Sequence, residues 1–235
     1  MKRLTVVFAL ALAAGCATSG GTSGGTTVSD ADFGRLQPDQ MNVVNQARQF
    51  RDSARDEQAR AKLRQEQGQH EEELASADQQ AAKASAVAAD AQVKIANESR
   101  DPAAFEQARK AKAQAEAQKR AADAHMVYAK KSTAARQLAM DAAAKQVALA
   151  EARLENAKLQ ALQQAGNPAS NKYDMTKFQR RVQDAEKSFD SSLQKMRDQE
   201  AQASAAQRTW EDAHAQAQAQ AVPLSAPQTG TGTGR

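Results

Sequence analysis

Between Phe105 and Gln164 the chain steps alternately by three and four residues from one small or apolar side chain to the next. The positions are Phe105, Ala108, Lys112, Ala115, Lys119, Ala122, Met126, Ala129, Thr133, Arg136, Met140, Ala143, Val147, Ala150, Leu154, Ala157, Ala161 and Gln164, and thirteen of these eighteen are apolar. Heptad spacing sustained over this length is the seam of a coiled coil. The same stepping from Phe178 passes through Val182, Ala185, Phe189, Ser192, Met196, Gln199, Ala203, Ala206, Trp210, Ala213 and Ala217, ten of twelve apolar. A chain this polar is otherwise a candidate for disorder, and the periodicity decides for helix.

The seam is built mostly from alanine. Hydrophobic residues make up 41% of the chain but aromatics only 4%, so a compact core of bulky side chains is excluded. Alanine is the strongest helix former, and a chain rich in Ala, Glu, Lys, Arg and Gln with this period reads as long helix or coiled coil.

The first helical segment is less regular. Leu74, Ala77, Ala81, Ala84, Ala88, Ala91 and Ile95 are evenly spaced, as are Val43, Ala47, Phe50 and Ala54, but the two sets do not share a register. Between them lies EQGQHEEE, with Gly68 inside it. Glycine in a helix costs about 1 kcal/mol relative to alanine, so fraying, a bend or a break is expected there.

Two punctuations divide the helical segments. In ESRDPAAF, Asp101 suits a helix N-cap and Pro102 its first position. In QAGNPASNKYD, Gly166 suits a left-handed helix end, Pro168 prevents continuation, and Asp174 or Ser170 can cap the third helix. Helices are therefore expected over 36–98, 101–165 and 174–221. About 60 helical residues span about 90 Å. The short connections fold consecutive helices back on each other. The fold expected is all-α, an elongated antiparallel three-helix coiled-coil rod, with Leu138, Leu149, Leu159 and Leu162 giving the middle helix a second apolar face. The alternative is an oligomer of shorter bundles. Lys112 and Lys119 in the seam either snorkel outward or fix register.

The two ends differ in character from this middle. Lys2 and Arg3 precede an apolar run, Leu4 to Ala14, too short to cross a bilayer, which takes about 20 residues. It suits a secretory signal peptide, residues 1–15. Cys16 is the single cysteine, so no disulfide forms within one chain. Residues 16–35 are then the anchor residue and a flexible linker, with ATSGGTSGGTTVS reaching about 20 Å. Residues 222–235, rich in Pro, Gly and Thr, are expected to be a disordered tail.

The stretch Leu12-Ala13-Ala14-Gly15-Cys16 resembles the lipobox of bacterial lipoproteins. Ala13 stands where that family has leucine, and Leu12 lies one residue further back. The resemblance implies cleavage between Gly15 and Cys16, and a diacylglycerol and an N-acyl chain (palmitate among them) on Cys16. Several acyl chains anchor stably where one does not. Ala17, where retained lipoproteins have aspartate, implies the outer membrane, facing the periplasm. Residues beyond Cys16 resemble alanine-rich coiled-coil envelope lipoproteins as a broad type.

Little in the chain suggests chemistry. Loss of residues 1–15 removes Lys2 and Arg3 and leaves 30 basic against 28 acidic residues, so the net charge falls from +4 to +2. Arg109, Lys110 and Lys112, like Lys130 and Lys131, read as solvated helix faces, and nucleic acid is not an expected partner. His70, His125 and His214 lack zinc-site spacing. His70 with Glu71, Glu72 and Glu73 reads as a solvated acidic patch, and His125 and His214 as residues bordering the seam. Trp210 reads as core, and Tyr173 as an exposed anchor at a rod tip. No nucleophile elbow, Walker loop or dinucleotide fingerprint occurs in the sequence. Neither catalysis nor a cofactor or metal is expected.

The function expected is a membrane-anchored structural spacer or adapter in an envelope complex. Its partners are the bilayer through Cys16 and an envelope protein, with oligomers open. A non-covalent peptidoglycan tether is the alternative, since the chain ends in Arg235 where the murein lipoprotein has lysine. A helical transport adaptor ranks below both, for want of strand-rich flanks.

Overall fold

The structure, a computed structural model, describes residues 25–33 and 36–221. The expected signal peptide, the cleavage site at Gly15 and Cys16, and the tail 222–235 lie outside the described residues.

The fold is all-α. A short helical turn, α1 (Asp30–Phe33), precedes a 3-10 turn at Pro38–Met41 and three long helices, α2 (Asn42–Ser99), α3 (Pro102–Gln164) and α4 (Met175–Gln220). Close backbone packing joins α2 to α3 and α3 to α4, so α3 is the shared middle helix. At 1.5 Å per residue, its 63 residues make a rod about 95 Å long.

Both reversals rest on local chemistry. Arg100 ends α2 in the left-handed conformation, φ 56°. Asp101 then caps α3, its side chain accepting from Ala103 N at 2.9 Å, with Pro102 at the first helical position. At the other end Gly166 takes φ 63°, and Asn167 N donates to Leu162 O and Gly166 N to Gln163 O, both at 3.0 Å. These two bonds close the last turn of α3 as a Schellman motif. Asp174, not Ser170, caps α4, accepting from Thr176 N at 3.0 Å.

Contrary to the expected weak point, α2 runs unbroken through Gly68, and Gly68 is buried. The reason is a ladder of small residues every seventh place: Ala47, Ala54, Ala61, Gly68, Ala75, Ala82, Ala89 and Ala96. Six of the eight are buried and the other two half-buried. They face a matching ladder on α3, Ala108, Ala115, Ala122, Ala129, Arg136, Ala143, Ala150 and Ala157, in which a single rung is large. That rung meets the glycine. A Cβ on residue 68 would lie 2.9 Å from Arg136 Cδ, and Thr133 Oγ1 donates to Gly68 O at 2.9 Å. Gly68 is thus the hole for the one oversized knob.

Polar ties across the same interface keep the register. Arg136 Nη2 pairs with Glu71 at 2.8 Å, Arg55 with Glu151 at 2.9 Å, and Gln79 Nε2 donates to Asp123 at 2.8 Å. The two seam lysines are both engaged. Lys112 pairs with Asp90 at 2.7 Å, and this hydrogen bond and charge raise its pKa. Lys119 pairs with Asp123 at 2.7 Å, and its hydrogen bond holds that carboxyl below the usual range.

The expected seam on the first segment is corrected. The stripe from Leu74 to Ile95, including Ala77, Ala81, Ala84, Ala88 and Ala91, is exposed throughout, with Leu74 and Ile95 each 66% exposed. Val43 and Phe50 are exposed as well. On α3 every seam position but Gln164 is buried or half-buried, Phe105, Met126, Met140 and Val147 among the half-buried and Leu154 among the buried. On α4 Phe178 is buried, and Val182, Phe189, Met196 and Trp210 are half-buried.

The pairing of Gly68 with Arg136 is testable by a double-mutant cycle. Gly68→Ala gains about 1 kcal/mol of helix propensity in an open helix, but here it displaces Arg136, so a net loss of unfolding free energy in urea is expected. In an Arg136→Ala background the same change is expected to stabilise by about 1 kcal/mol. Separately, Arg100→Gly is expected to raise stability by about 0.5–1 kcal/mol, because glycine is unstrained in the left-handed conformation.

Candidate functional site

Two regions carry side-chain arrangements beyond the seams: the docked N-terminal segment and a groove between α2 and α4.

The N-terminal segment, expected to be a flexible linker to residue 35, is bound from Thr26 onward. Val28 is 2% exposed and packs in one cluster with Leu159, Leu162 and Phe178, themselves at most 1% exposed. Phe33 lies in a neighbouring cluster with Val44, Leu154, Ala157 and Ala161. Burying side chains of this size is worth about 1.5–3 kcal/mol each, enough to hold a short segment. The main chain is tied down as well. Val28 N donates to Glu155 Oε2 at 2.7 Å, and Glu155 is braced by Lys158 at 2.8 Å. Arg181 Nη1 donates to Thr26 O and Oγ1, both at 2.9 Å.

Tyr173 is not the exposed anchor expected of it. It is half-buried, edge-on to Phe178 at 6.1 Å. Its hydroxyl accepts from Ser29 N at 3.0 Å and donates to Asp32 Oδ2 at 2.9 Å. Burial, and the carboxylate that accepts its proton, push its pKa up. Lys172 Nζ completes the group, pairing with Asp32 at 2.9 Å. The turn between α3 and α4 and the start of α4 thereby form a receptor for residues 26–33.

The groove lies on the other half of the rod and is floored by α3. Trp210 of α4 stacks on His125 at 4.5 Å and on Tyr128 at 5.5 Å, nearly parallel to both. His214, exposed, comes one turn later and lies 2.8 Å from Gln218 Nε2. Asp78, Gln118, His125, Trp210, His214 and Gln218 border an open cleft of about 360 Å³. Lys131 Nζ, further along, donates to Gln202 Oε1 at 2.8 Å. Stacking of this kind adds about 0.5–1.5 kcal/mol beyond area burial, so the triad is accounted for as packing of α4 on α3. Period alone marks Trp210 as seam, but not that His125 and Tyr128 meet it, because that depends on the rotation of α3 between its two partners.

His70 pairs weakly with Glu73 at 3.5 Å, both exposed. Among the described residues no group of three or more His, Cys, Asp or Glu side chains is arranged to hold a metal ion, and no helix is long and apolar enough to cross a membrane.

Tyr173→Phe removes one acceptor and one donor from the docked segment, a loss of about 1–2 kcal/mol confined to that site. Amide hydrogen exchange is expected to speed up about tenfold over residues 26–33 and to stay unchanged in the α2–α3 interface.

No protein-family model, no curated protein and no solved structure matches this chain.

Proposed function

We propose that the chain is a lipid-anchored rod of the bacterial envelope, attached to the outer membrane through acyl chains on Cys16 and serving as a non-catalytic spacer or adapter that meets a partner protein at a distance. The lipobox-like LAAGC supports the anchor. The docked N-terminal segment carries the rest of the reading. Cys16 lies nine residues before Gly25, and nine residues span about 30 Å at most. An anchor on Cys16 would lie within that reach of the end of the rod where α3 gives way to α4. The α2–α3 turn at Arg100 and Asp101 lies at the far end, about 90 Å away. A leash short beside the rod, fixed to one end by buried side chains, gives the rod a base and a tip.

Cells expressing the chain with labelled palmitate test the anchor. Label is expected on the wild type and absent from Cys16→Ser, with the wild type recovered in the outer-membrane fraction. Label on the Cys16→Ser protein, or a wild type recovered wholly in the soluble fraction, overturns the proposal.

A further inference from the structure

Among the described residues the outward stripe of α2 has no partner. Leu74 and Ile95 close its two ends, 21 residues or about 32 Å apart, and both are 66% exposed. Twenty-one residues are three heptads, so the two side chains project from the same face. Only alanines lie between them along the stripe, so it reads nearly the same from either end.

We infer that this stripe pairs with the same stripe of a second copy, antiparallel, about a two-fold axis beside Ala84. The axis sets Leu74 of one copy next to Ile95 of the other, at both ends of the contact, and lets the two helices approach closely over alanine. The flanking charges select the direction. Glu73 and Lys94 are also 21 residues apart, on one flank of the stripe, and both are exposed. Among the described residues Glu73 has only the long contact to His70, at 3.5 Å. Antiparallel pairing brings Glu73 of each copy to Lys94 of the other, making two opposite-charge contacts. Parallel pairing turns each flank toward the opposite flank of the other copy and sets Glu73 against Asp78, a like-charge contact. The opposite flank of α2 is the one occupied by Glu71 and Asp78, of which Glu71 already serves Arg136. An interface this narrow falls below the standard size of about 800 Å² per partner, so the dimer is weak and reversible. The inference stands apart from the lipid reading.

Sedimentation equilibrium of the full chain carrying Cys16→Ser tests the pairing without thiol or acyl chain. A concentration-dependent dimer is expected. Glu73→Lys and Lys94→Glu each weaken it about tenfold, and the double swap restores it to within about twofold. All of these residues are exposed, so circular dichroism is expected to show unchanged helicity in every variant. Adding Ala84→Cys is expected to give a disulfide-linked dimer under mild oxidation. A monomer at every concentration overturns the inference. So does a dimer indifferent to the single swaps, or one that the double swap fails to restore.

Discussion

The rod depends on one mismatch between two otherwise uniform ladders. Alanine against alanine every seventh residue permits close approach of α2 and α3, but each layer resembles the next. A slip by one heptad would leave most layers intact. Arg136 and Gly68 remove that freedom. Slipped by seven residues, Arg136 would meet Ala61 or Ala75, each carrying the Cβ that the native register excludes. The guanidinium would also leave Glu71, and Thr133 would lose the Gly68 carbonyl. A residue that lowers local helix propensity therefore raises the specificity of the whole interface. The remaining ion pairs, Arg55 with Glu151 and Lys112 with Asp90, are exposed enough to contribute little energy, and they act in the same direction by favouring one register.

The second interface works differently. From α3 to α4 the packing is anchored at the ends by larger side chains: Phe178 with Leu159 and Leu162 at one end, Trp210 with His125 and Tyr128 toward the other. Alanine lies between these anchors, as at the buried Ala203, and again in the last turns, where Ala117 and Ala121 meet Ala213 and Ala217. The middle helix thus presents two faces of different character, one specified by size matching and one by aromatic and leucine anchors. The three helices need no common core, because α3 packs against both of the others.

Much of this is legible in the sequence. The helix ends at Asp101, Gly166 and Asp174 follow from capping chemistry, and the α3 and α4 seams follow from their period. The α2 seam misleads for a physical reason. Leu74 and Ile95 make the outer stripe look more hydrophobic than the inner ladder, whose rungs are all Ala or Gly. Large side chains mark burial only where the partner helix leaves room for them. Here the partner approaches too closely, and the decisive signal is smallness at a fixed interval of seven. The docking of Val28 and the place of Tyr173 in the receptor wall, rather than at an exposed tip, have no periodic signature. They arise from contacts between residues some 125 to 150 positions apart, which no local pattern encodes.

The docked N-terminal segment also sets how the rod carries a load. A pull on the chain ahead of Thr26 is first taken by Arg181 of α4, then by Glu155 of α3 and the Val28 pocket, and only afterwards by α2. Force therefore enters through the middle helix and its C-terminal neighbour rather than at the free start of α2. Peeling α2 from α3 one small layer at a time, the weakest way to dismantle an alanine ladder, is the route this arrangement protects against.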